Sequence, residues 1–417
     1  MATTVNQVCQ QARQASAVTR ELNTSSKDRA LTLFAEAMDS ARDQLKAANS
    51  QDLDQARADG VSATLIDRLT ITDKRITSMV KALRAMVDLP DPVGQVVSGG
   101  QRPNGLVIER VREPLGVVAV IYEARPNVTA DVAALCLKSG NAAVLRGSSV
   151  AAHTNAAIAD VITGALSRQD EVPVHAVQLI GDQSRDAVIE LLTASDYIDL
   201  LVPRGGRGLL DTVRQHATVP VVIDGDGNCH IYVDASADQA IATSVVVNAK
   251  TSRPSVCNAA ETLLVHAGIA ESWLPDVLGE LDKRGVVLRA DDRARAIWPD
   301  AEPATEDDWA TEYLDLILAV RVVDGLDDAL AHIARWGTRN SEAVIARDLT
   351  VARRFARAVD SGSVFVNTST RFSDGGEFGY GLEIGVSTQK LHARGPMGLE
   401  ALTCVKNVTW GEGQIRE

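Results

Sequence analysis

Apolar positions recur at three- and four-residue intervals through Ala30, Leu31, Leu33, Phe34, Ala37 and Met38, and again through Ile76, Met79, Val80, Leu83, Met86 and Val87. That spacing puts each set on one face of a 3.6-residue helix, so most of residues 1–88 is predicted to be helical. Ser25-Ser26-Lys27-Asp28 offers a helix start ahead of the first run. Residues 88–103 carry Pro90, Pro92, Pro103 and three glycines and read as a loop. Residues 106–111 read as a strand. After Gly116 the texture changes. Short β-branched runs at 117–121, 142–145, 174–179 and 198–202 alternate with Ala-rich amphipathic stretches at 128–139, 151–166 and 184–193. Near-continuous apolar strands joined by such helices imply a parallel sheet covered on both faces. A second unit of the same kind begins near Cys229, with helices expected at 237–249 and 270–284 around a strand at 261–266. The fold class is therefore α/β and doubly wound, with ligands expected at the strand C-terminal ends.

Composition narrows the function. A chain of 417 residues, 45% hydrophobic, can bury two or three cores without staples. Forty-two basic against fifty-five acidic residues give a net charge of -13, and aromatic content is 4%. Such a chain is poorly suited to nucleic acid or anionic membranes, although a local basic pocket for a small phosphorylated ligand is still allowed. No stretch reaches the roughly 20 apolar residues of a membrane span. The opening residues lack the basic-then-apolar layout of a signal peptide, so the cytoplasm is expected. Five scattered cysteines (Cys9, Cys136, Cys229, Cys257 and Cys404) show neither CxxC nor Cys/His spacing, so free thiols and no metal are expected.

Three places could carry chemistry. Cys257, in NAKTSRPSVCNAAETLLVH, falls on a turn between a helix and a strand, with Arg253 near enough to favour its thiolate. A small buried thiol is the plain alternative. Asn127, between a strand and a helix, could donate an N–H to an oxyanion or simply cap the helix, and taken alone the cap is favoured. Arg146-Gly147-Ser148-Ser149 and Arg204-Gly205-Gly206-Arg207-Gly208 each follow a strand and open a helix, a layout suited to phosphate. Neither is a GxGxxG or a GxxxxGK[ST].

Three long blocks carry a resemblance: VREPLGVVAVIYEARPNVTADVAALCLKSGNAAVLRGS, VNAKTSRPSVCNAAETLLVH and STRFSDGGEFGYGLEIGVSTQKLHARGPMGLEALT. In content, order and spacing the chain resembles, almost end to end, the γ-glutamyl phosphate reductases, a branch of the aldehyde dehydrogenase superfamily. The resemblance implies two Rossmann-like parallel-sheet domains and a small β oligomerisation element. An NADP-binding domain is expected at 1–105 and 125–228, a catalytic domain at 229–365, and the oligomerisation element with the C-terminal tail at 106–124 and 366–417. It implies Cys257 as nucleophile and Asn127 as oxyanion donor. Arg146, Ser148 and Ser149 would meet the adenosine ribose of NADPH, Gly205 and Gly206 its pyrophosphate, and Glu312 the nicotinamide ribose. Arg125, Ser369, Thr370 and Arg371 are candidates for the anionic ends of the substrate.

The implied activity is NADPH-dependent reduction of L-glutamyl 5-phosphate to glutamate 5-semialdehyde and phosphate through a cysteine thioester, the second step of proline biosynthesis. Superfamily members that hydrolyse the thioester carry a glutamate that falls near Ile223 in VVIDGDGNCHIYV. Asp224 or Asp226 could stand in for it, but their glycine setting reads first as a tight turn. Relatives commonly have a histidine where this chain has Asn340, read as a loop position. A homodimer or tetramer is expected, through pairing of 106–111 with 401–409, and an association with a glutamate 5-kinase is allowed. The alternatives are a reductase of another acyl phosphate, or a relative that keeps the fold without catalysis.

Overall fold

The strand Val117–Tyr122 is buried at every position, as a strand with helices on both faces must be. In the computed structural model, which describes residues 4–223 and 225–416 apart from the side chains of Ala63, Thr64 and Arg207, the chain divides into two units.

The first unit takes in the chain up to Ile223 together with Gly379–Gly385 and Met397–Glu417. Its four-stranded parallel sheet runs, edge to edge, Val177–Leu179, Ala142–Gly147, Val117–Tyr122 and Leu200–Arg204. Crossover helices Asn127–Lys138, Ala152–Leu166 and Arg185–Leu192 join these strands, and Arg207–His216 follows the last. Near the N-terminus stand Val5–Thr19, Thr24–Ser40, Arg42–Ala58 and Asp73–Asp88. The second of these begins one residue ahead of Ser25: Asn23 is its cap and accepts the N–H of Ser26, so Ser25 lies within the first turn.

A separate antiparallel sheet of this unit orders Val96–Gln101, Val107–Pro114 and Thr403–Trp410. The last two pair over their whole length, Thr403 opposite Pro114 through Trp410 opposite Val107, within one chain. The boundary expected at 124 needs correcting. Residues 117–122 belong to the parallel sheet, because their unbroken apolar run can be buried on both faces and a flap strand cannot.

The second unit comprises Asp224–Phe378 and Val386–Pro396. Its seven-stranded sheet orders Glu302–Pro303, Val287–Ala290, Ile317–Val323, Ala260–His266, Cys229–Val233, Ser341–Ile345 and Ser363–Val366, every neighbouring pair parallel. One apolar cluster packs Gln239–Thr251 and Ala267–Asp282 on the sheet through Val246, Trp273 and Leu278. Another packs Leu326–Trp336 and Leu349–Ala358 through Ile333 and Phe355. Among the described residues no helix is long and apolar enough to cross a membrane.

Candidate active site

Residues 252–259 bridge the helix Gln239–Thr251 and the strand Ala260–His266, and Cys257 is half-buried within them. The base of this loop is closed by a buried ion pair. Lys250, at the end of the helix, reaches Glu261, at the start of the strand, at 2.6 Å, and also donates to the Ala260 carbonyl at 2.9 Å. Both side chains are fully buried. Burial raises the Glu261 carboxyl to about 7 against the pull of Lys250, and lowers the Lys250 ammonium.

The peptide of Cys257 is held from below. Its carbonyl accepts the S–H of Cys229 at 3.1 Å, and Gly227 packs so closely that a Cβ there would sit 1.7 Å from the same oxygen. No side chain fits at 227 without moving Cys257. The Gly227 N–H is taken by Glu312 Oε1 at 2.7 Å. Asn228 is fully buried, with its N–H on Thr338 Oγ1 and its amide on the carbonyls of Trp309 and Trp336. On the other side of the loop, Asn258 donates to the Ser373 carbonyl at 3.0 Å and receives the Thr370 hydroxyl on its own carbonyl at 2.7 Å.

The cysteines differ by environment. Burial pushes the Cys9 thiol up to about 12 and drives those of Cys136 and Cys229 up as well, so all three are inert. Exposed Cys404 is raised by partial burial and by Glu113. Cys404 also has Lys406 and Arg20 nearby, but the net push on its thiol is upward; Cys257 is partly exposed, with the Arg371 guanidinium interacting with it. The Arg371 guanidinium bonds Ser252 Oγ at 3.1 Å; burial and Arg253 lower it, while Asp374 and the Cys257 thiol pull the other way. The Arg371 guanidinium thus stands near the thiol, with Arg253 close to that guanidinium, and two such cations offer a place for an anion.

Of the substrate candidates, Arg371 is thus beside the thiol. Thr370 requires correction: it is fully buried and its hydroxyl supports the Asn258 peptide, so it is not open to a ligand. Ser369 is also buried, its oxygen accepting the Arg371 N–H. Arg125 belongs to the first unit.

In the first unit, the C-terminal ends of three neighbouring strands gather the remaining candidates. Tyr122 registers with Gly147 on one side and Arg204 on the other, which places the turns at 123–127, 146–149 and 204–206 along one sheet edge. Arg146 donates to the Gln183 carbonyl at 2.9 Å, and its buried Nε makes no hydrogen bond. Ser148 caps a short helical turn through the Val150 N–H, and Ser149 is exposed. The Gly206 N–H opens the helix Arg207–His216, and there it donates to Glu123 Oε1 at 2.8 Å, so a carboxylate already holds this anion-seeking position.

Asn127 is the first residue of its helix, not its cap. Pro126 already has helical angles, and the Asn127 amide instead donates to Asp131 Oδ2 at 2.8 Å. Burial lifts the Asp131 carboxyl to about 6, opposed by that same amide and by Arg204. One amide N–H of Asn127 is thereby fixed, and the other remains to be aimed.

Asn340 is a loop position, as expected, one residue ahead of a strand. It is fully buried at the mouth of the strand Ser341–Ile345, where its oxygen accepts the Ser341 hydroxyl. Glu342 in that strand, also fully buried, accepts both the backbone N–H of His230 and its ring Nδ1. Asp224 lies outside the described residues. Sequence reading passed over Gly227, Asn228, Cys229, Lys250 and Glu261. A lysine and a glutamate flanking the Cys257 turn in otherwise apolar elements were the available signal.

Residues 1–294 match the family model for the aldehyde dehydrogenase family. The chain is 53% identical over 412 residues to a γ-glutamyl phosphate reductase of Thermobifida fusca, covering 99% of this chain and 98% of that one. It is 54% identical over 408 residues to one from Moorella thermoacetica, covering 98% and 97%. The crystal structure of γ-glutamyl phosphate reductase from Thermotoga maritima superposes with a TM-score of 0.96 at 47% identity, covering 99% of this chain and all of that one.

Proposed function

The chain belongs to the γ-glutamyl phosphate reductase branch of the aldehyde dehydrogenase family, and from that premise we propose that it reduces L-glutamyl 5-phosphate to L-glutamate 5-semialdehyde and phosphate, the second step of proline biosynthesis from glutamate. The observation that carries the reading is Cys257: a half-buried thiol near the Arg371 guanidinium, on a peptide fixed by a close-packed glycine.

The Cys257 thiolate attacks the acyl carbon of the acyl phosphate. A C–S bond forms, the C–O bond to phosphate breaks, and phosphate leaves with the electron pair. Arg371 and Arg253 offset the charge of the anionic substrate and of the phosphate. Asn127 and the Cys257 backbone N–H are assigned to the oxygen that becomes negative, a contribution of about 3 kcal/mol for one such donor. The general base of hydrolytic superfamily members would fall near Ile223, where this chain has no glutamate, so water attack on the Cys257 thioester should be slow and the thioester awaits hydride. When the cofactor is bound, its reduced nicotinamide supplies that hydride. The thiohemiacetal then collapses, the C–S bond breaks, and Cys257 returns to the thiolate as the aldehyde departs.

The sheet edge of the first unit suits a nicotinamide dinucleotide. Its strand ends carry hydroxyls and glycines, and the Arg146 Nε is buried with no hydrogen bond. Arg146, Ser148 and Ser149 are proposed to hold the adenosine ribose of NADPH, and Gly205 and Gly206 to face the pyrophosphate once Glu123 yields. Glu312 is the remaining cofactor candidate. A cytoplasmic homodimer or tetramer, with the three-stranded sheet as its contact, completes the proposal.

Run backwards with pyrroline-5-carboxylate and NADP, the reaction must require phosphate. NADPH formation undiminished by leaving phosphate out sinks the acyl-phosphate mechanism.

A further inference from the structure

Resting on the reading of Cys257 as the nucleophile, we propose that Glu312 is a positioning residue for that cysteine, acting through the Gly227 peptide. Glu312 Oε1 accepts the Gly227 N–H at 2.7 Å. Gly227 lies against Cys257 so closely that a Cβ there would stand 1.7 Å from the Cys257 oxygen and 2.6 Å from its Cα. A shift of the 227 peptide therefore cannot be absorbed without moving the nucleophile. Beyond Gly227 the chain has little freedom to adjust, because Asn228 is pinned to Thr338, Trp309 and Trp336 and the Cys229 S–H is bonded to the Cys257 carbonyl.

The segment that carries Glu312 grips the other side of the same loop. Leu314 has a φ of 54°, a left-handed conformation that L side chains adopt rarely. It presents its N–H to Glu261 Oε1 at 3.2 Å, and the other oxygen of Glu261 bonds Lys250. Two carboxylates thus tie residues 312–314 to both flanks of the nucleophile: Glu312 reaches out to Gly227, and Glu261 reaches in to Leu314. A residue whose only task is a cofactor ribose would have no need of a backbone N–H that abuts the reactive cysteine. The geometry assigns Glu312 to the reactivity of Cys257 ahead of cofactor affinity.

The test reads Cys257 directly. The rate of its alkylation by iodoacetamide, located by peptide mass mapping, is measured without substrate or cofactor in the full-length protein. In parallel, kcat and the KM for NADPH are measured for the same variants. Glu312→Ala is expected to change the alkylation rate by about five-fold or more and to lower kcat on the order of 10²-fold, with KM for NADPH within about twofold. Glu312→Gln, which can still accept the Gly227 N–H, is expected to restore most of both. If Glu312→Ala does not fold, Glu312→Asp withdraws the oxygen while keeping the charge, and it should alter alkylation in the same direction. Alkylation unchanged in Ala and Asp variants overturns the proposal, whether KM for NADPH rises or stays. The outcome is separable from the parent reading. Loss of the phosphate requirement in the wild-type reverse reaction would refute the acyl-phosphate chemistry and leave the alkylation result standing.

Discussion

The thiol loop of the second unit and the sheet edge of the first are both strand-to-helix or helix-to-strand turns, yet they are built in opposite ways. Around Cys257, buried groups bond the backbone on each side: Lys250 and Glu261 at the base, Cys229 and Gly227 beneath, Thr370 and Ser373 alongside. Along the edge at 123–127, 146–149 and 204–206, Asn127, Ser149 and Gly206 are exposed, and the Gly206 N–H of the glycine turn rests on the exposed Glu123 carboxylate. The difference fits the two tasks proposed for them: a covalent nucleophile must sit within a fraction of an ångström of its productive place, whereas a dissociable cofactor needs a surface that opens.

That contrast can be broken from the rigid side first. Cys257→Ala should lower the reverse reaction on the order of 10⁴-fold or more while still binding cofactor; substantial residual turnover would remove Cys257 from its role. Gly227→Ala should cost on the order of 10²-fold in kcat, since its Cβ meets the Cys257 carbonyl, with cofactor affinity measured by titration left near wild type.

Lys250→Met strands Glu261 in the interior and should destabilise the protein by about 3 kcal/mol in urea unfolding. The double variant Lys250→Met/Glu261→Leu should recover most of that loss, because both buried ionisable groups are then gone.

A pH effect follows from His332. It is buried, and burial first, then His230, Arg321 and Arg335, hold its ring down to about 2, against an ordinary value near 6.5. The folded state therefore binds fewer protons than the unfolded chain below that ordinary value. Stability contributed by the neutral ring is intact above about pH 6.5 and falls as pH drops, by at most about 1.4 kcal/mol per pH unit. Replacement by Gln should flatten the acid limb of a plot of unfolding free energy against pH.

The smallest effect is expected at the open edge. Glu123→Gln removes a charge from the Gly206 N–H and should tighten NADP binding by about two- to five-fold in a fluorescence titration, the size of one charge near a helix end. Unchanged or weaker binding would mean the carboxylate is no obstacle to the cofactor.

Much of this was legible in the residues themselves. The apolar runs after Gly116 predicted parallel strands and covering helices, and the blocks around Asn127 and Cys257 carried the resemblance to the family. The failures have specific causes. Asn127 reads as a helix cap, but Pro126 already adopts helical angles and the amide turns to Asp131. Thr370 reads as a ligand hydroxyl, but the short turn that carries it faces Asn258. Residues 117–122 read from their own apolar run as a strand of the parallel sheet, as found; the domain limits implied by the resemblance, 106–124, wrongly put them with the flap.

Periodicity and local motif thus determined which segments are strands and helices and singled out Cys257 as the candidate thiol, because those depend on neighbours a few positions away. The support of that thiol joins Gly227 to Glu312, 85 positions apart, and Asn228 to residues 81 to 110 positions on. Such contacts leave no periodic trace, since a single glycine or carboxylate is ordinary in its own segment. Only when the strands Cys229–Val233 and Ala260–His266 lie side by side does Gly227 come under Cys257, and its missing side chain becomes a requirement of the chemistry.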